Sequence, residues 1–261
     1  MTHTILRILS LSLILRSCTT ETSGDYYPAT YTATEETALP TYDSSDLIIR
    51  HTGLTLSYNT SANTPKWVAW ELTRYEAETK TAERSDRFRP DPILPERNQV
   101  TTNDYTNSGY DRGHMCPSAD MRWSMESMDD CFLLSNICPQ APKLNQQWWE
   151  HTEEACRRWA EKYGSVLICC GPIYDSKTKH EYIGSAHLIA VPDGFYKSVV
   201  EPNTEMGIGF LYTNDETRQT MEDAAVTIDE IERVTGYDLF HLLPDDIEEK
   251  VEAQCNLRDW Q

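Results

Sequence analysis

Positive charge is scarce in this chain of 261 residues: 23 Lys and Arg stand against 42 Asp and Glu, a formal net charge of −19. That excess of acid excludes a generic cationic coat for nucleic acid, though not a few basic groups gathered in one cleft. Long apolar runs are also missing. Beyond the N-terminus none approaches the roughly 20 residues that span a bilayer. Paired CxxC motifs are absent, so the eight cysteines do not spell a structural zinc site. No internal repeat is visible, which removes solenoids and propellers. What remains is a chain with 39% hydrophobic and 25% charged residues, long enough to bury a sizeable core.

The first 17 residues differ from the rest. Arg7 closes a weakly charged start, Ile8–Leu15 is apolar apart from two serines, and Leu15-Arg16-Ser17-Cys18 follows. The segment is too short for a membrane span and reads as a secretory signal. Its ending resembles a bacterial lipobox, with Arg16 an unusual member, which makes Cys18 the expected lipidation site and the sole membrane anchor. Removing residues 1–17 takes away two arginines and no acid, leaving −21. The expected location is therefore the cell envelope, as a lipoprotein, or the medium. Residues 18–47 are Thr-rich, contain acids but no Lys or Arg, and lack apolar periodicity, so they read as a tether. A single domain is expected over 48–261.

Within it, Leu54–Tyr58 and Lys66–Thr73 alternate as strands do. Residues 84–106 are rich in Pro, Asp and Asn and form a long loop, a kind of segment that often carries function. Phe132–Ile137 reads as a short strand. Asn145–Tyr163 reads as an amphipathic helix stopped by Gly164. Strands are expected at Ser165–Cys170, His187–Val191, Phe195–Val200 and Gly207–Tyr212. A capping box at Thr227–Glu230 opens a helix that ends at Gly236, and a last helix covers Asp245–Cys255. Strands in runs with few helices between them predict an α+β domain with a mostly antiparallel central sheet and flanking helices.

The chemistry is concentrated in Tyr110-Asp111-Arg112-Gly113-His114-Met115-Cys116-Pro117-Ser118-Ala119, then Asn136 with Pro139-Gln140, then Asn145 with Glu153 and Arg157. A lone His after Gly is most often a loop residue bonded to a neighbour. Here it has company. Asn145, Glu153 and Arg157 stand at i, i+8 and i+12 on one predicted helix, where steps of four drift by about 40° and leave them on one stripe. A base, an acid, an amide and a phosphate-sized cation together suggest phosphodiester hydrolysis.

These blocks, with the strand Lys66–Thr73 upstream, resemble the DNA/RNA non-specific endonucleases, the ββα-metal (His-Me finger) nucleases of the endonuclease G type. The likeness covers roughly residues 50–250. It implies a divalent-metal-dependent endonuclease acting on DNA and RNA with little sequence preference. His114 would be the general base, and Asn145 the single direct protein ligand of a Mg²⁺ ion, with Mn²⁺ the alternative. Glu153 would hold one of the ion's waters, Arg157 and Arg112 would bind or position near the phosphate, and Asn136 would order the site. An Arg from the upstream loop is expected too, where Arg84, Arg87 and Arg89 compete and Arg84 is favoured. Phe132 stands where some members carry a polar residue, so no contact is expected from it. A bond between Cys116 and Cys138 would brace the His loop. The competing reading is a catalytically silent nuclease-like module that binds nucleic acid or protein. Residues 66–114 hold eight Lys and Arg against nine acids, and residues 215–250 three against twelve, so the acidic end is expected away from the cleft.

Overall fold

A computed structural model describes residues 34–175, 177 and 179–261. The expected signal segment and Cys18 lie outside these residues. The strands are β1 (Leu47–His51), β2 (Leu54–Asn59), β3 (Thr64–Thr73), β4 (Asp111–His114), β5 (Ile137–Gln140), β6 (Ser165–Ile173), β7 (Tyr182–Ile183), β8 (Ile189–Ala190), β9 (Gly194–Glu201), β10 (Met206–Thr213) and β11 (Ala225–Val226). The α-helices are α1 (Arg74–Glu78), α2 (Met125–Cys131), α3 (Glu150–Tyr163), α4 (Met221–Ala224), α5 (Ile228–Thr235) and α6 (Asp245–Glu252). Among the described residues no helix is long and apolar enough to cross a membrane.

Seven strands form one antiparallel sheet in the order β1-β2-β3-β6-β9-β10-β11. Both faces are covered, so the central strands carry apolar side chains on each side. On β3, Val68, Trp70 and Leu72 enter one layer and Trp67 and Ala69 the other. Each fully buried Leu, Ile or Phe contributes about 1.5–3 kcal/mol. α3 lies over the first layer through Ala155, Cys156, Trp159 and Ala160, and α5 and α6 lie over the second through Ile228, Ile231 and Val251.

Several expectations need correction. The Thr-rich stretch is not a tether from Thr34 onward. A turn at Glu35–Ala38 buries Thr37, Ala38 and Leu39 against Trp67 and Ala69. Its acids serve as anchors: Glu35 accepts from the Thr55 hydroxyl at 2.7 Å, and Glu36 pairs with Arg50 at 2.6 Å. Phe132–Ile137 is not a strand. Phe132 caps α2, Leu133 makes only an isolated bridge to Arg89, Leu134–Asn136 is a single 3-10 turn, and the pairing with β4 begins at Ile137. The final helix stops at Glu252. A 3-10 turn at Leu257–Trp260 follows, bringing Trp260 onto Trp159 with ring centroids 4.5 Å apart.

Candidate active site

β4 and β5 form a separate two-stranded finger, with Asp111 opposite Gln140, Gly113 opposite Cys138 and His114 opposite Ile137. Glycine is required at 113: a Cβ there would stand 2.1 Å from Gln140 Oε1 and 2.6 Å from Gln140 Cβ. Beyond His114 the chain is pinned by Asn136. Its Oδ1 accepts from the Cys116 amide at 3.0 Å, and its Nδ2 donates to the carbonyls of Cys116 (2.8 Å) and Cys131 (2.9 Å). The Asn136 carbonyl also accepts from the Met115 amide at 3.0 Å, so side chain and backbone together hold the loop. Asn136 is wholly buried and orders the His loop from behind without reaching the cleft. Cys116 and Cys138 are buried free thiols, and strand pairing holds the finger.

The His114 ring meets Phe132 edge-on at 4.9 Å and Phe88 at 5.3 Å. Phe132, from which no contact was expected, therefore forms a wall of the imidazole's slot. His114 Nε2 is buried and has no hydrogen-bond partner. Burial, and then the charges of Arg84 and Arg112, push the imidazole's pKa from its ordinary 6.5 down to about 3, against the opposing effect of Asp86. The ring is neutral at physiological pH.

Of the three competing arginines, the structure brings Arg84 to the site. Its guanidinium donates to Ser118 Oγ at 2.7 Å and to Asp86 at 2.7 Å, and lies 5.2 Å from the Phe132 ring centroid. Arg87 and Arg89 turn away to Asp129. Arg112 is exposed and rests on Phe88, 4.3 Å from its centroid.

After the finger, Leu144–Trp149 forms a π turn that runs into α3. A π turn advances through less angle per residue than an α turn. It opposes the drift that a plain α-helix would accumulate between 145 and 153. Asn145, Glu153 and Arg157 do line one cavity of about 250 Å³, together with His114, Arg84 and Arg112. An adjoining cavity of about 370 Å³ shares Arg84, Arg112 and Asn145 and extends past Phe88 and Tyr110. Asn145 Nδ2 donates to Asp111 Oδ2 at 2.9 Å, and Gln146 Nε2 donates to the same oxygen at 2.7 Å. Asp111 thereby fixes which end of the Asn145 amide it holds, leaving Oδ1 as the end offered elsewhere. Burial pushes the Glu153 carboxyl up from its ordinary 4.5 to about 7, against the pull of Lys197 and Arg157. Arg157 is tied at one nitrogen to the buried Asp120 at 2.9 Å.

The cleft suits a hard, hydrated cation better than a caged one. Asn145 and Gln146 both turn their amide nitrogens to Asp111, leaving neutral amide oxygens free, and a substrate's phosphate oxygens complete such a site. The described groups of three acids close enough to hold an ion lie elsewhere, around Glu252. Reading the sequence missed Asp111 as the partner of Asn145, Asp120 as the partner of Arg157, and Phe132 as a wall. Asp111 lies in the His114 motif and Asp120 directly follows it, which is the available signal. The pairings join residues 34 and 37 positions apart and needed the fold to be seen.

A two-stranded finger carrying a histidine is followed by a helical segment that carries an asparagine, a ββα arrangement. The chain belongs to the DNA/RNA non-specific endonuclease family, whose sequence model matches residues 31–246. It is 37% identical over 210 residues to the mitochondrial nuclease of Saccharomyces cerevisiae, covering 72% of this chain and 63% of that protein. It is 35% identical over 196 residues to Nuclease 1, mitochondrial, of Schizosaccharomyces pombe, covering 65% and 61%. The chain thus spans about three fifths of these relatives' length. A solved EndoG/EndoGI complex, described in terms of EndoG inhibition, is similar with a TM-score of 0.74 and 27% identity, covering 86% of this chain and all of that one.

The relatives' names contradict the expected exported envelope lipoprotein anchored through Cys18: they point to mitochondria.

Proposed function

We propose that the chain is a divalent-metal-dependent endonuclease that hydrolyses phosphodiester bonds of DNA and RNA with little sequence preference. The observation that carries this reading is His114: a buried, neutral imidazole with an unpartnered Nε2, on the wall of a cavity shared with Asn145, Glu153, Arg84, Arg112 and Arg157. Mg²⁺ is the cofactor that Asn145 Oδ1 would hold. When bound, it would neutralise charge on the phosphate and on the departing oxygen.

The chain's own residues do the rest. Arg84 and Arg112 hold the phosphodiester by charge and by forked donors. Their positive charge is part of what keeps His114 a weak base. A bound phosphate offsets that charge, so the imidazole becomes more basic when substrate is in place. His114 Nε2 then takes a proton from the attacking water. Glu153 accepts hydrogen bonds from water in the same cavity when ionised. Arg157, held by Asp120, keeps a cation facing the cleft. All these contacts address the backbone phosphate and its surroundings, so base identity goes largely unread.

The test is a gel assay with supercoiled plasmid and with structured RNA, with Mg²⁺ and with EDTA. Both polymers should be cut, and only with the ion. Binding without cutting would establish a silent module. Cleavage of a small diester but not of long polymers would reassign the substrate.

A further inference from the structure

Lys197 lies in the middle of β9, is wholly buried, and its Nζ has no hydrogen-bond partner. A dehydrated ammonium costs several kcal/mol unless its surroundings compensate. Here they do so through aromatic faces: Nζ lies 4.3 Å from the Trp149 ring centroid and 5.2 Å from that of Trp70. Both indoles are in turn bonded to the site. Trp149 Nε1 donates to the His114 carbonyl at 3.2 Å, and Trp70 Nε1 donates to Asp120 Oδ2 at 3.3 Å. Asp120 is the carboxylate that holds Arg157.

We propose that Lys197 is a positioning residue of the nuclease site: clamped between Trp70 and Trp149, its charge fixes the two indoles whose N–H groups hold the His114 strand and the Asp120–Arg157 pair. The inference rests on the nuclease reading above and adds a residue to it. The geometry excludes direct contact with substrate, since the ammonium is sealed beneath the cleft. The electrostatics agree. Burial pushes the Lys197 ammonium toward deprotonation, while the carboxylates of Glu153 and Asp120 pull the other way. The same charge lowers the proton affinity of Glu153 and Asp120. A bare hydrophobic residue would fill the volume without the cost of burying an ion, so stability alone does not account for a lysine here.

The test is Lys197→Met in the full chain, with wild type beside it. Turnover should fall about 10–100-fold, the usual range for residues that support a site from behind. The KM for long DNA should stay within about twofold, because no phosphate contact is lost, and Tm should hold or rise because a buried charge is removed. In the metal-free protein, the indole N–H signals of Trp70 and Trp149 in a ¹H–¹⁵N spectrum should shift and exchange faster with water. A variant that loses stability yet keeps wild-type turnover per folded molecule overturns the proposal, as do unmoved indole signals. Should Lys197→Met not fold, the double variant Trp70→Phe/Trp149→Phe keeps the aromatic faces and drops both N–H bonds. It should lose turnover with KM unchanged, and unaltered turnover overturns the proposal. A wild type that cuts no nucleic acid defeats the nuclease reading instead, and the indole signals of the metal-free protein still decide the clamp.

Discussion

On β9 the side chains of Tyr196 and Val200 enter the layer under α5 and α6, while those of Phe195, Lys197 and Val199 enter the layer under α3. The same strand therefore contributes to two different interiors. The α5/α6 layer is filled by Leu239, Phe240, Leu243, Ile228 and Ile231, and its acids remain at the rim, where Glu252 and its neighbours repel one another. The α3 layer holds Lys197, Asp120 and His114 among its aromatics, with two unpartnered nitrogens on His114 and Lys197. Burial of charge is costly, and the buried Lys197 and Asp120 lie on the face that bears the cleft. A protein built only for stability would make the two layers alike. The difference marks where stability has been exchanged for chemistry.

His114→Ala should give the largest effect. Loss of a general base costs on the order of 10²–10⁴-fold in turnover. The fold should survive, because the loop is held by Asn136 and by strand pairing rather than by the imidazole. Turnover above about a tenth of wild type would show that another group takes the proton.

Ile231→Ala probes the opposite layer. Ile231 is fully buried there, and the cavity left behind should cost about 2–5 kcal/mol of stability. Turnover per folded molecule, measured well below the melting transition, should match wild type. A drop in turnover comparable to the stability loss would mean that the two layers are coupled and the contrast is false.

The contrast also sorts what the sequence could disclose. Period-two strands and the α3 stripe were legible because their apolar spacing follows from strand and helix geometry alone. The site motif was legible as a cluster because Asp111 to His114 are adjacent in the chain. The α3 layer's polar pairings were not. The Asp111–Asn145 and Asp120–Arg157 contacts depend on where the finger meets α3. Lys197 stands in the strand expected at Phe195–Val200, where a lysine between Tyr196 and Ser198 with apolar residues on either side is a visible anomaly. The stretch Leu133–Asn136 pairs only through an isolated bridge to Arg89 and then turns, so its apolar run does not become a strand. In residues 34–47 the abundance of Thr hid the two apolar residues, Ala38 and Leu39, that fasten the segment.

Asn145→Ala should raise the half-saturating Mg²⁺ concentration at least about tenfold, since even groups that merely support a metal ligand cost 10–100-fold. Excess Mg²⁺ or Mn²⁺ should restore part of the rate. Asp111→Asn should give a smaller rise, because Asn145 remains but its amide is no longer held by a carboxylate. Unchanged half-saturation in Asn145→Ala would remove this residue from the cation site.

The smallest effect is the most specific to the α3 layer, and it is a cancellation. His114 has a folded-state pKa of about 3 against an ordinary 6.5. Between these values the unfolded chain binds a proton that the folded chain refuses, so stability from this residue is complete above pH 6.5 and is lost as pH falls. Glu153 has a folded-state pKa of about 7 against an ordinary 4.5. Here the folded chain keeps a proton that the unfolded chain releases, so its contribution is complete below pH 4.5 and is lost as pH rises through 7. Each slope is at most about 1.4 kcal/mol per pH unit, and between pH 4.5 and 6.5 they have opposite sign. Their sum is therefore near zero in wild type. Relative to wild type, His114→Ala should gain stability as pH falls across that window, and Glu153→Gln should gain it as pH rises. Urea denaturation at pH 4.5, 5.5 and 6.5 measures both differences, and the other titrating groups drop out of each comparison. Two flat difference curves would mean that neither group is buried as the structure has it, and that the α3 layer is no more polar in energy than the layer beneath α5.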